Sequence, residues 1–490
     1  MRLTFVTSEV RPFSQTGGLA DVSESLPAAL AAHGCDVTVV TPLYRSAVAA
    51  LAREGIATEA LTGPPLRIGP ADHPLRFRVA MRNGCRMAFV AHDGFYDRPS
   101  LYVGADGKDY PDNVARYAFL CRAAITLANV LDEAPDIVHC NDWQTALLPC
   151  YLRAGALPGS RSAFTIHNLA YQGHYPAADV LTAGLGWTWF HPDGLEFYGG
   201  LNLMKGGLFF SDAITTVSPS YAAEIQTPAA GWGLDGVLRA QSHKVRGILN
   251  GIDVVRWNPA ADPFLPAPFS AADLSDKAAS KRALQTRSGL PVDASAMVLG
   301  AVGRFDAQKG LPLICAAFRI LAPLGVQLVV LGSGDPGIEA AVQVLAAQYP
   351  QQVAATVGFD EGLAHIIEGG ADAFLMPSAF EPCGLNQMYS QRYGTLPIVH
   401  ATGGLKDTVV DYTPATVQIG TASGFSFTMF DAAHLAEAIL RAWRLYTSDR
   451  AAWTALQRTI MTIDHSWARS AREYLAMYQE LLAMSDGTGA

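Results

Sequence analysis

Short apolar runs rich in Val, Ile, Phe and Leu recur along the chain, each ending in a glycine or polar turn and leading into a longer stretch with helical apolar spacing. RLTFVTSE, CDVTVVTP, RMAFVAH, DIVHCND, RSAFTIHN and DAITTVSP lie in the first half, and MVLGAVGR, VQLVVLGSG, ADAFLMPS and TLPIVHA in the second. Strands alternating with helices at this spacing predict parallel, doubly wound sheets and an α/β fold. The proline-rich, aperiodic stretch GILNGIDVVRWNPAADPFLPAPFSAADLSDK separates the two groups, which places a domain boundary near Gly251. In the last segment Trp467, Ala471, Tyr474, Leu475, Tyr478 and Leu481 recur at three- and four-residue spacing, predicting an amphipathic helix. The expected division is 1–250 joined by the helix 466–490, and 251–465.

Length and charge narrow the classes. A chain of 490 residues, half of it hydrophobic, exceeds one ordinary core. The balance of 35 basic against 44 acidic residues, a net charge of −9 without long one-sign blocks, argues against nucleic-acid and anionic-membrane partners. Seven scattered cysteines with no CxxC pair suit reduced thiols, not a disulfide framework or a zinc site. Glu9 and Arg11 interrupt the first apolar run, and no uninterrupted apolar stretch reaches the roughly 18 residues of a membrane span. These features lead us to expect a cytoplasmic protein.

Candidate chemistry gathers where predicted strands end. The loop SQTGGLADV (Ser14–Val22) has the shape of a phosphate loop, with Gln15 where a cation is expected, and TGGLKD (Thr402–Asp407) nearly repeats its core in the second half. Ligands in open α/β sheets bind beyond the carboxyl ends of strands, so two such loops suggest domains facing one cleft, although ordinary strand-to-helix turns explain the pattern as well. In VGRFDAQKG, Arg304 and Lys309 are placed to hold a diphosphate, the alternative being a solvated surface pair. In MPSAFEPCGLNQ, backbone amides near Gly384 and Leu385 favour an anion, and Glu381 beside them suits sugar hydroxyls or a helix-start charge. Cys383 reads best as a small buried thiol. Asn141, Asp142 and Trp143 follow the strand DIVHC, and His167 and Asn168 follow AFTI. Together they suit a carbohydrate, although a lone Trp or His is more often core. LGSGD lacks the third glycine of a dinucleotide fingerprint, and no Walker lysine is present.

Taken in order, TGGLADV, FYDRPSLY, HCNDWQTA, TIHNLAYQG, GWGLDGVL, GILNGID with WNP, GRFDAQKG, FEPCGLNQ, YGTLPIV, ATGGLKDT and GFSF resemble the bacterial glycogen synthases and plant starch synthases nearly end to end. The resemblance implies a GT-B fold, two facing Rossmann-like domains with the C-terminal helix packing back on the first. It implies retaining transfer of glucose from ADP-glucose to the nonreducing end of an α-1,4-glucan, with no metal and no cofactor besides the donor. By motif, Arg304 and Lys309 would clamp the diphosphate and Glu381 would position the glucosyl ring. His167 would lie near the sugar O6, with Asp142, Asn168 and Asn250 orienting glucose or acceptor and Asn141 beside them. Gly17 and Gly18 would approach the phosphates, with Asp21 in the same loop, and Thr402, Gly403 and Gly404 would contact substrate from the second loop. Tyr96 and Trp143 would be sugar or acceptor contacts, and Phe359 takes the place of a tyrosine stacked on adenine. The family pattern has lysine at Gln15 and arginine at both Ala379 and Ile366. The lost cations leave open a weakly active or non-catalytic glucan-binding relative, and a transferase using UDP-glucose or a small acceptor. Same-face attack and a glycosyl-enzyme both account for retention.

Overall fold

The computed structural model describes residues 1–484, so the end of the expected final helix, 485–490, lies outside the described residues. In chain order the first unit contains β1 (Arg2–Val6), β2 (Asp36–Pro42), β3 (Glu59–Ile68), β4 (Ala71–Arg82), β5 (Cys85–Ala91), β6 (Ile137–Asn141) and β7 (Arg161–Ile166). The short β8 (His174–Tyr175), β9 (Glu196–Phe197) and β10 (Gly200–Asn202) follow, then β11 (Ala213–Thr216) and β12 (Val245–Gly247). The main sheet runs β12-β11-β7-β6-β1-β2-β5-β4-β3, parallel from β12 to β5. Strand order therefore reverses between β1 and β6, the switch point where open α/β sheets bind ligands. Within β1 and β6 the residues Leu3, Phe5, Val6, Ile137, Val138 and Cys140 are almost wholly buried, as a sheet covered on both faces requires.

Two antiparallel strands extend this sheet, β4 pairing with both β3 and β5. Asn83 and Gly84, at φ 51° and 77°, make the tight turn from β4 to β5. The helix Asn113–Leu131, 19 residues with mean hydropathy 1.3, is the one described helix long and apolar enough to cross a membrane. Its residues Val114, Tyr117, Phe119, Leu120 and Leu127 are buried in the protein itself. All seven cysteines are free and buried.

The final helix, Trp467–Ala483, belongs to this first unit, which comprises Met1–Gly251 and the chain from Trp467 onward. Its Trp467, Ala471, Tyr474, Tyr478 and Leu481 join the core built on β1, β2 and the helix α1 (Leu19–Ala32). At the centre, the Tyr478 hydroxyl and His139 Nδ1 lie 2.6 Å apart, and His139 Nε2 is 2.6 Å from Thr165 Oγ1. Burial drives the His139 pKa down to about 3, so the imidazole is neutral.

The second unit, Ile252–Ser466, contains β13 (Val298–Val302), β14 (Gln327–Gly332), β15 (Val353–Val357), β16 (Ala373–Met376), β17 (Leu396–His400) and β18 (Phe425–Phe427). These form one parallel sheet in the order β15-β14-β13-β16-β17-β18, which reverses between β13 and β16. The linker stretch is anchored to this unit by Trp257, whose ring stacks on His365 at 4.0 Å and on Tyr389 at 3.9 Å.

Candidate active site

In the first unit the loop after β1 and the residue after β6 meet the end of β7, as the switch-point geometry dictates. Asn141, the last residue of β6, is fully buried and its Nδ2 donates to Val6 O at 3.0 Å. That orientation turns Oδ1 toward His167, whose Nε2 donates to it at 2.9 Å. With the proton held on Nε2, Nδ1 is left as the acceptor. Burial lowers the His167 pKa to about 3, so this neutral tautomer persists at any physiological pH and suits a sugar hydroxyl.

Asp142 stands in a conformation few non-glycine residues adopt, at φ 56° and ψ −177°. Its Oδ1 accepts the His167 amide at 2.7 Å and, at 3.5 Å, the Asn168 amide. Burial is the largest influence on the carboxyl and raises its pKa to about 7; the two amides oppose the rise and the Glu9 charge adds to it. Asn168 Oδ1 accepts from Ala170 N at 3.1 Å, a local turn. Asn250 is 6% exposed, and its buried Oδ1 has no hydrogen-bond partner among the described residues.

Two aromatic expectations are corrected. Tyr96 is fully buried and its hydroxyl donates to Arg116 O at 2.8 Å, so it is a core residue out of a sugar's reach. Trp143 is 6% exposed, edge-on to Tyr117 at 5.0 Å, with Gly173 against its ring. It braces the site and offers no open stacking face.

The loop Ser14–Gly18 is held from outside by Glu9, which no motif in the sequence marks. Glu9, 3% exposed, accepts from Thr16 N and Thr16 Oγ1 at 2.6 Å each, from Gly17 N at 3.3 Å and from the Tyr102 hydroxyl at 2.5 Å. Gly17 and Gly18 are exposed, and Gly18 is the N-cap of α1. Exposed Gln15 donates to Asp21 Oδ2 at 3.2 Å, and Arg11 Nη1 reaches Asp21 Oδ1 at 3.2 Å. The Asp21 pKa is pushed up to about 6, mainly by burial, with Arg11 opposing the rise.

In the second unit, Asp306 caps the turn Ala307–Lys309 and Gly310 follows at φ 69°. A Cβ on Gly310 would lie 2.0 Å from Pro377 O, so only glycine brings this turn against the end of β16. The result is an ion pair, Lys309 Nζ to Glu381 Oε2 at 2.6 Å, with Ser378 Oγ donating to the same oxygen at 2.9 Å. Glu381 is 6% exposed, whereas the Arg304 side chain is half exposed and lies 3.4 Å from Asp306.

Gly384, at φ 73°, and Leu385 precede the helix Asn386–Arg392, and Cys383 is a buried thiol. Gly403 and Gly404 have a structural reason to be glycine. Cβ atoms there would lie 2.0 Å from Glu381 O and 2.2 Å from Cys383 O, and Gly404 N donates to Glu381 O at 3.0 Å. Both glycines therefore pack against the Glu381 loop, and Thr402 is the N-cap of the short helix Gly403–Thr408 that they open. Phe359 is 91% exposed after Gly358, its ring open for stacking. Ile366 lies in the unit's apolar core, and Ala379 is held through its backbone, N to Gln308 O at 2.7 Å.

Doubly wound units whose polar side chains gather where the strand order reverses are the architecture of the GT-B glycosyltransferases. Residues 2–240 match the family model of the starch synthase catalytic domain, and 286–455 that of the glycosyl transferases group 1. The glycogen synthase of Anaeromyxobacter sp. (strain Fw109-5) is 47% identical, with 99% of this chain and 100% of that protein covered. Glycogen synthase 1 of Methylococcus capsulatus is 47% identical over 99% of this chain and 97% of its own. The catalytic domain of starch synthase IV from Arabidopsis thaliana, solved bound to ADP and acarbose, superimposes with a TM-score of 0.89 at 33% identity, covering 98% and 99% of the two chains. The sucrose-phosphate synthase of Thermosynechococcus elongatus, at 19% identity and a TM-score of 0.61 over 99% of each chain, shares the fold. The chain belongs to the glycogen synthase and starch synthase family and is a glycosyltransferase.

Proposed function

We propose that this glycosyltransferase moves glucose from ADP-glucose to the nonreducing end of an α-1,4-glucan with retention of configuration, in the cytoplasm and without a resident metal or further cofactor. The observation that carries the reading is the Lys309–Glu381 pair, a cation and a carboxylate fixed 2.6 Å apart at the second unit's switch point. Lys309 and Arg304 bind the donor diphosphate, and amides near Gly384 and Leu385 add to them. Glu381, already satisfied by Lys309 and Ser378, accepts from sugar hydroxyls, and the open ring of Phe359 stacks on the base. On the first unit, His167 Nδ1 accepts from a hydroxyl, and Asp142, Asn168 and Asn250 orient the sugar or acceptor.

Departure of the diphosphate leaves positive charge on the sugar and negative charge on the leaving oxygen, and the preorganised cations stabilise the latter. Same-face attack suits the carboxylates. Both carboxylates are already engaged, Glu381 by Lys309 and Ser378 and Asp142 by the His167 amide, and same-face attack asks neither to form a bond to the sugar. The acceptor hydroxyl then passes its proton to the departing phosphate oxygen. The deciding experiment incubates the purified protein with ADP-glucose or UDP-glucose and with glycogen or maltose. Nucleotide release with chain extension, fastest for ADP-glucose with glycogen, is expected; glycogen binding without turnover of either donor would establish a non-catalytic relative instead.

A further inference from the structure

A loop of the TGG type is ordinarily credited to its free backbone amides, which would meet a phosphate. Here the first two of those amides are already taken. Thr16 N and Gly17 N both point at Glu9 Oε2, while Glu9 Oε1 receives Thr16 Oγ1 and the Tyr102 hydroxyl. Tyr102 is itself bonded to Ser8 Oγ at 2.8 Å, and its ring lies 6.3 Å from that of Trp143, the residue after Asp142. Glu9 thus occupies, from within the chain, the place an external anion would take.

We propose that Glu9 is the positioning residue of the first unit's glycine loop: its carboxylate fills the Thr16–Gly17 amide nest, ties the loop to Tyr102, and fixes the surface that meets the nucleotide-sugar. The proposal rests on the glucosyl-transfer reading. It changes what the loop offers. The buried carboxylate holds Thr16 N at 2.6 Å and Gly17 N at 3.3 Å, so a ligand meets the loop at its outer edge, Gln15 to Gly18, and not at these two amides. Glu9 also acts through space, because its charge is one of the influences that hold the Asp142 carboxyl above its ordinary range.

Three variants of the full chain test this. Glu9→Gln keeps the shape but presents N–H to a site lined by donors, and Tyr102→Phe removes the hydroxyl bonded to Glu9 and Ser8 while leaving the Glu9 charge. Glu9→Ala empties the nest for added acetate. ADP affinity by calorimetry and kcat and KM for ADP-glucose are measured, with circular dichroism as the check on folding. Glu9→Gln is expected to weaken ADP binding and raise KM about tenfold, the loss of one or two bonds to a charged group, and to shift the pH profile of kcat toward lower pH. Tyr102→Phe should raise KM about threefold without that shift, and acetate should restore most of the affinity lost in Glu9→Ala. Gly17→Ala, whose added Cβ meets nothing within 4 Å, should lose less affinity than Glu9→Gln. The proposal is overturned if Glu9→Gln keeps its ADP affinity and pH profile, if acetate restores nothing, or if Gly17→Ala is the more damaged variant. Because ADP binding is read without turnover, a wild-type protein that binds ADP but transfers no glucose refutes the functional reading alone.

Discussion

His167 donates its Nε2 proton to Asn141 Oδ1 at 2.9 Å, so a residue at the end of one strand selects the tautomer of a histidine at the end of the next. Asn141→Asp would replace the neutral acceptor with an anion and favour the imidazolium. An NMR titration should show the His167 pKa rising from about 3 by at least about one unit, with kcat falling as the neutral acceptor is lost. An unmoved resonance would mean that Asn141 does not control the ring.

Asp142 predicts a stability effect of definite sign. Its folded pKa of about 7 exceeds the ordinary value of 3.8, so the fold binds this proton more tightly than the unfolded chain does. The associated stabilisation is present at acid pH and is lost as pH rises from about 4 to about 7. Asp142→Asn removes the dependence. Its melting temperature should exceed that of the wild type by a few degrees at pH about 8, and the gap should close toward pH about 4. Equal gaps at both pH values would contradict the assignment.

Gln15 sits 3.2 Å from Asp21 and contributes only a neutral donor. Gln15→Lys restores a cation to the loop that is to meet the leaving phosphates, which should raise kcat with ADP-glucose about tenfold, the difference between a neutral and a charge-assisted contact. An unchanged or slower variant would show that this loop serves its donor without a charge at position 15.

Gly310 controls the second unit's ion pair. Gly310→Ala forces a Cβ to within 2.0 Å of Pro377 O at a φ that side chains avoid, so the Lys309 turn must retreat from Glu381. A loss on the order of a hundredfold in kcat/KM is expected, with far-UV circular dichroism preserved. Wild-type kinetics would show that the pair tolerates the displacement.

The parallel strands were readable because a sheet buried on both faces writes an unbroken apolar run, and polar residues just past such runs mark the site. By that logic His167 and Asp142 stand together at neighbouring strand ends of the first unit, and Lys309 and Glu381 at those of the second. β3 and β4 were not readable that way, because Pro64, Pro65, Arg67, Arg76 and Arg78 occupy their exposed positions and break the apolar run. The same logic overlooked Glu9 because partners up to 93 positions away reveal its role. It misplaced Tyr96 because a tyrosine in a polar motif looks exposed until the helix carrying Arg116 covers it. The packing of Gly403 and Gly404 against the Glu381 loop was not legible, because a glycine that admits a neighbouring backbone and one that admits a ligand look alike in one sequence.

The chain leaves its first unit at Gly251, builds the whole of the second, and returns at Trp467 to supply Tyr474 and Tyr478 to the first unit's core. Synthesis runs from the amino end, so the earliest-made half of the protein waits at the ribosome with a face of its core uncovered, while the later-made half already has all its strands. Vectorial synthesis therefore completes the second unit before the first, and a chain stopped before Trp467 releases one finished domain tethered to an unfinished one.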